Sequence, residues 1–221
     1  MIRYEEQRVQ VAKTALSLLS TGLVINTSGN VSVREGDDII ITPSGKAYDA
    51  LDAEDICVLN LDGEWIAGEH LPSSETPLHL AIYNSDLNVN AIVHTHSVHA
   101  TAVSTLVNVL PAIHYQMADL GGPVPVAPYA TFGSQELADS VLSVLLGRNA
   151  ALMQNHGSIT IADKVEKALS RTIALEWCCE VWLKAVAAGE PSTLDQEQML
   201  AAKEQMKDVA AKREALSCCD D

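Results

Sequence analysis

Aromatic residues are scarce in this chain. They make up 4% of its 221 residues, and Phe132 is the only phenylalanine. With an apolar fraction of 48%, the core must come mainly from alanine, valine, leucine and isoleucine. Positive charge is also scarce. Fourteen lysines and arginines face 29 aspartates and glutamates, giving a formal net charge of −15 and a pI near 4.7. That balance argues against nucleic-acid binding through a basic surface and against an anionic membrane surface. A small phosphate compound is still compatible with it, because backbone N–H groups and hydroxyls in a cleft hold phosphate whatever the global charge. No apolar run approaches the roughly 18 residues of a membrane span. The opening Met1-Ile2-Arg3-Tyr4-Glu5-Glu6 lacks the apolar stretch of a secretory signal. The cysteines Cys57, Cys178, Cys179, Cys218 and Cys219 are odd in number and contain no C-x-x-C. Free thiols in a reducing cytoplasm are therefore expected, not a disulfide framework.

The length suits one domain over residues 1–221. Val9, Ala12, Leu16 and Leu19 recur at helical spacing between Glu5 and Ser20, with Gly22 as a stop. Val31-Ser32-Val33 and Ile39-Ile40-Ile41 read as a hairpin about Glu35-Gly36-Asp37-Asp38, followed by strands at Ile56–Leu59 and around Trp65. Leu78–Tyr83 reads as a helix that Ser74 could cap. Helices are expected over Ser97–Val107, Ser134–Leu146, Val165–Ala188 (capped by Asp163) and Leu194–Leu216. Short strands are expected at Val124–Ala127, Ala151–Met153 and Ser158–Ile161. Hairpins mixed with helices favour an α/β protein with a mixed or antiparallel sheet covered by helices.

The most informative stretch is Ala91-Ile92-Val93-His94-Thr95-His96. Residues two apart on a strand share a face, so this reads as a buried strand delivering two imidazoles side by side. Zinc and other borderline metals favour imidazole. Taken alone, the pair fits chance neighbours equally well. His156, after another apolar strand and beside Gly157, supplies a candidate third imidazole. Three histidines with an open position is a common plan for catalytic zinc. Glu75, in a hydroxyl-rich loop at a helix start, is the best nearby carboxylate, although a plain first-turn residue is the simpler account. His70, His79, His99 and His114 read as structural or solvated. Three loops share one chemistry: Ser28-Gly29-Asn30, Ser44-Gly45 and Ser73-Ser74. Brought together, they would form a phosphate nest without lysine.

Several spaced segments then make a more specific pattern. In order they are Thr27–Arg34, Ile41–Gly45, Leu71–Glu75, Ala91–Ser104, Pro111-Ala112-Ile113-His114-Tyr115, Ala127–Gly133 and Gln154–Gly157. Together they resemble the class II aldolase/epimerase family, and more its aldolase branch, which acts on L-fuculose 1-phosphate-like substrates. Glu75 and the Pro111–Tyr115 segment carry that preference, since the epimerase branch usually has aspartate at the first position. The resemblance implies a three-layer αβα sandwich with a central mixed, mainly antiparallel sheet. It implies Zn²⁺ held by His94, His96, His156 and Glu75, with Glu75 leaving the metal to act as base. Gly29, Asn30, Ser44, Gly45, Ser73 and Ser74 would hold the substrate phosphate, and Tyr115 of a neighbouring subunit would act as acid. A homotetramer with active sites at subunit interfaces is implied, as is cleavage of a ketose 1-phosphate to dihydroxyacetone phosphate and a short aldehyde. A sugar-phosphate 4-epimerase or decarboxylase on the same metal-enediolate scaffold is the first rival. A non-catalytic metal-binding scaffold is the second. The tail tyrosine of the related aldolase has no counterpart in Lys207-Asp208-Val209-Ala210.

Overall fold

The computed structural model describes residues 2–86 and 88–217. Cys218 and Cys219, read above as free thiols, and Met1 of the opening segment lie outside the described residues. Nine strands form one sheet: β1 (Asn30–Glu35), β2 (Asp38–Ile41), β3 (Cys57–Asn60), β4 (Trp65–Ala67), β5 (Ala91–Thr95), β6 (Val109–Leu110), β7 (Val124–Ala127), β8 (Ala150–Met153) and β9 (Gly157–Ala162). Their order is β4-β3-β2-β1-β5-β9-β8-β7-β6, so β5 lies at the centre. Only the β7–β8 pair is parallel among the described strands.

Seven α-helices occur among the described residues: α1 (Glu5–Ser20), α2 (Thr76–Ser85), α3 (Val98–Ser104), α4 (Met117–Leu120), α5 (Gln135–Leu145), α6 (Val165–Ala188) and α7 (Gln196–Ser217). The sheet separates two cores. On one face Ile39, Ile41, Ile92, Ile159 and Met153 meet Leu78 and Ile82 of α2 and Leu137 and Val141 of α5. On the other, Val31, Val33, Ile40, Ala91 and Val93 meet Val11, Ala15 and Leu18 of α1 and Val165 and Ala168 of α6. Beyond them, Ala150 and Leu152 pack with α3, α4, α6 and α7. The expected αβα layering is therefore present, and β5 is buried on both faces, which explains its uninterrupted apolar lead-in. Burying a side chain such as Ile92 or Val93 contributes about 1.5–3 kcal/mol. No helix among the described residues is long and apolar enough to cross a membrane.

Several boundaries differ from expectation for local reasons. Ser74 does not cap α2. Glu75 occupies the cap position, and Ser73 takes the local bonds instead, its Oγ accepting from the Glu75 N–H at 3.3 Å and its carbonyl from the Thr76 N–H at 3.0 Å. Asp163 does not cap α6 either; Lys164 stands there without a side-chain cap bond. Helix α3 stops at Ser104 because the chain tightens into turns, Leu106 N–H reaching the Val103 carbonyl, before entering β6. His156 lies not at a strand end but in the turn between β8 and β9, where Met153 pairs with Gly157. Cys57, Cys178 and Cys179 are free and buried.

Gly157 sets that hairpin on the central strand. A Cβ there would stand 2.2 Å from the Thr95 carbonyl oxygen. The missing side chain lets β9 lie against β5 in the register Thr95↔Ser158 and His94↔Ile159. Gly157→Ala should destabilise the protein by about 3 kcal/mol, the upper range for overpacking in a close-packed interior. Urea unfolding measures it, and a variant as stable as the parent would show that this approach is not constrained.

Candidate metal centre and substrate cleft

Strand alternation places Asn30 and Ser32 of β1, and His94 followed by His96 at the end of β5, on the face that carries α2. Glu75 comes in from the start of α2 and His156 from the β8–β9 turn. The three imidazole rings meet edge to face, with centroids 4.8, 4.9 and 4.8 Å apart. His94 Nε2 lies 2.7 Å from Glu75 Oε2 and 2.9 Å from His96 Nε2. His156 Nε2 lies 3.3 Å from Glu75 Oε1. One donor atom from each of Glu75, His94, His96 and His156 falls within 4.8 Å of the others.

The surrounding bonds determine what these atoms can do. The Ser158 carbonyl only accepts, so His94 Nδ1–H donates to it at 2.8 Å and aims Nε2 into the cluster. Burial opposes ionisation of Glu75, yet the charge and hydrogen bond of His94, then His156 and the Asn30 amide, hold its carboxyl well below the usual range. Burial likewise acts to lower His94, but the Glu75 carboxylate and the Ser158 carbonyl outweigh it and push the imidazole up. Burial, then the charge of His94, pushes His96 down to about 3 and His156 to about 4. Two imidazoles are thus neutral at pH 7, the form that ligates metal. Glu75 Oε1 is buried and makes no hydrogen bond. A buried oxygen without a hydrogen bond costs free energy unless a cation meets it. Three imidazole nitrogens and a carboxylate fit a borderline divalent ion, so the residues present suit the metal site read from the sequence.

A cleft of about 250 Å³ opens beside this cluster, lined by Ser28, Gly29, Asn30, Ser44, Gly45, Ser73, Ser74, Glu75, His96, His156 and Phe132 among others. The structure therefore brings the three serine-bearing loops together. The loops of Ser44 and Ser73 are stitched by a Pro43↔Pro72 bridge, by Ser44 N–H to the Leu71 carbonyl at 2.8 Å and by Ser73 N–H to the Thr42 carbonyl at 3.1 Å. Gly29 has φ +84°, and a Cβ there would lie 2.7 Å from the His94 carbonyl, so only glycine lets this loop touch the central strand. Lys46 follows Gly45, but its ammonium pairs with Asp55 and does not line the cleft.

Tyr115 stands apart. The residue is 52% exposed, its ring lies tilted 4.4 Å from that of His114, and it lines a surface hollow with Gln205, Met206 and Val209 of α7, outside its own chain's cleft. His70 bonds Asp55 in a surface loop, and His99 pairs with Glu176 of α6. Three buried residues behind the site escaped the sequence reading in any functional sense: Ser32, His79 and Tyr83. Their signal was present, since Ser32 shares the Asn30 face of β1 and His79 and Tyr83 follow Glu75 at intervals of four on α2. Burial, then the charge of His94, pushes His79 down to about 3.

Two outcomes follow from this geometry. His94→Ala should weaken divalent-metal binding by more than the about 10- to 100-fold that outer-shell partners cost. Competition against a chromophoric chelator gives the constant, and equal affinity would remove His94 from the ligand set. His79 is neutral when folded and has an ordinary value of 6.5 when unfolded. Its contribution is complete above pH 6.5 and is lost as pH falls toward about 3, because the unfolded chain binds the extra proton. In that window His79 should steepen the loss of stability by up to about 1.4 kcal/mol per pH unit. Urea midpoints against pH for the parent and His79→Phe should differ in slope, and identical slopes would contradict it.

The family model for the class II aldolase and adducin N-terminal domain matches residues 9–183. The chain is similar to the L-fuculose phosphate aldolase of Escherichia coli K12, 41% identical over 200 residues that cover 90% of this chain and 93% of that one. It is also similar to a 5-deoxy-D-ribulose 1-phosphate aldolase of Bacillus thuringiensis serovar kurstaki, 38% identical over 197 residues covering 88% and 92%. A solved L-fuculose 1-phosphate aldolase structure superposes with a TM-score of 0.90 at 35% identity, covering 94% of this chain and 98% of that one. A Glu/His₃ donor set on this sheet, with a family match across most of the chain, leads to one conclusion: the chain belongs to the class II aldolase family of metal-dependent lyases.

Proposed function

We propose that this protein is a zinc-dependent aldolase that cleaves a ketose 1-phosphate to dihydroxyacetone phosphate and a short aldehyde such as lactaldehyde. The observation that carries the reading is Glu75 itself. It is a buried carboxylate with one oxygen that makes no hydrogen bond, among three imidazoles and at the wall of a cleft of phosphate-type loops. Bound there, Zn²⁺ would supply Lewis acidity for the negative charge that develops on adjacent substrate oxygens as the C3–C4 bond breaks.

The chain's own residues do the rest. Gly29, Asn30, Ser44, Gly45, Ser73 and Ser74 hold the phosphate through backbone N–H groups, an amide and hydroxyls, and so orient the ketose. In the condensation direction Glu75 takes a proton from the hydroxymethyl carbon of dihydroxyacetone phosphate, and Tyr115 of a neighbouring subunit gives one to the aldehyde oxygen. In cleavage the same two protons travel back. No lysine lines the cleft, which favours this route over a Schiff base. The exposure of Tyr115 away from its own cleft supports a homotetramer whose sites lie between subunits. Free, buried thiols suit a cytoplasmic setting.

L-Fuculose 1-phosphate-like substrates are the first reading. A 5-deoxyribulose 1-phosphate is the second, favoured by the B. thuringiensis relative. Both share the phosphate and the bond to be broken, so one panel separates them from each other and from the epimerase rival. The zinc-loaded protein is assayed for dihydroxyacetone phosphate from L-fuculose, L-rhamnulose and 5-deoxyribulose 1-phosphates and from L-ribulose 5-phosphate. Glu75→Gln should lower kcat by about 10²- to 10⁴-fold while much of the zinc is retained. Absence of aldehyde from every ketose 1-phosphate, or full activity of Glu75→Gln, would overturn the proposal.

A further inference from the structure

Behind the cleft a line of polar side chains runs from Glu75 into the core. Asn30 Nδ2 lies 3.4 Å from Glu75 Oε2, and Asn30 Oδ1 lies 2.5 Å from His79 Nε2. His79 Nδ1 is 2.6 Å from Ser32 Oγ, which is 2.7 Å from Tyr83 Oη. Ser32, His79 and Tyr83 have no exposed surface, and Asn30 has 3%. Ser32, His79 and Tyr83 therefore cannot touch a substrate, and a role for them must act through Asn30.

Counting protons along this line leaves one arrangement. Glu75 is ionised and only accepts, so the Asn30 NH₂ faces it. The amide oxygen then faces His79 and accepts from Nε2–H. A neutral imidazole has a single N–H, which makes His79 Nδ1 an acceptor for the Ser32 hydroxyl. Ser32 has then used its proton, so Tyr83 O–H donates to Ser32. Every donor points toward Glu75. A flipped Asn30 amide would set its carbonyl against the carboxylate and against any anion in the cleft, and would leave the His79 N–H facing another donor. Each fault leaves a buried polar group unpaired or opposed by a like one, which is unfavourable away from water.

We propose that His79, oriented by Ser32 and Tyr83, is a positioning residue that holds the Asn30 amide with its NH₂ toward Glu75 and the substrate. The inference rests on the aldolase reading for what the amide serves, but the proton arrangement stands by itself. The test therefore has two arms.

In the first, ¹⁵N NMR of histidine side chains in the zinc-loaded protein, assigned with His79→Phe or by through-space contacts to Tyr83, reads the His79 tautomer. The proposal requires Nε2–H with bare Nδ1, and a shift of the Nδ1 resonance in Tyr83→Phe. An Nδ1–H tautomer overturns it, whatever the enzyme's activity. In the second, kcat/KM for the ketose 1-phosphate that the protein cleaves should fall about 10- to 100-fold in His79→Phe, and in the same direction but less in Tyr83→Phe, at unchanged zinc content. Unchanged kcat/KM in Tyr83→Phe at full zinc occupancy also overturns it. Should the parent cleave no ketose phosphate, the function reading fails while the tautomer still decides the positioning claim.

Discussion

The architecture depends on taking the Glu75 carboxylate and the His94 imidazole out of water at one point, with the half-buried His96 and His156 beside them. Glu75 is 5% exposed and His94 not at all. Removing charged groups from water carries a penalty of several kcal/mol each, repaid only by close, well-directed partners. The fold meets this with His94 on the central strand, anchored through the Ser158 carbonyl, and with Glu75 delivered at a helix start. The apolar layers above and below β5 supply the stability that such an arrangement draws on.

The same demand explains the glycines and short turns around the site. Close backbone approach at Gly157 and Gly29 brings a hairpin turn and a phosphate-type loop against β5. The Pro43↔Pro72 bridge then ties two further loops to each other. The cleft is thus built from loops whose backbones are fixed, while its floor is the rigid end of the sheet. Floor and walls alike thus hold their polar groups in place, which suits chemistry that depends on orientation.

Much of this was legible in the chain. The i, i+2 histidines after an apolar run marked both a strand and a face, and the β1–β2 hairpin follows the residue pattern closely. Helix α1 has the expected span, but Val11, Ala15 and Leu18 form its buried face while Leu16 of the expected face is exposed. Glu75 was legible as a carboxylate at a helix start, while its cap position follows from bonds made by Ser73. β6 and α4 were not legible, since two and four residues are too short to carry a period. The sheet order was hidden as well: β5 sits between β1 and β9, strands remote from each other in sequence. The buried polar line escaped for the same reason, with Ser32 and His79 separated by 47 positions and meeting only through β1 and α2. Tyr115 remains a residue of the family pattern, since nothing within one chain joins it to the cleft.

The turn that carries His156 has a consequence for assembly of the native state. His94 and His96 are neighbours in any extended chain, but Glu75 arrives with α2 and His156 only when the β8–β9 hairpin has docked on β5. The complete donor set is therefore absent from the unfolded chain and from any intermediate lacking that last docking. A cation bound there acts as a clasp across the middle of the sheet, selecting the fully paired topology over partly assembled ones. Availability of free metal ion then becomes a variable of folding as well as of chemistry, and the residue that closes the clasp is the one borne on a three-residue turn.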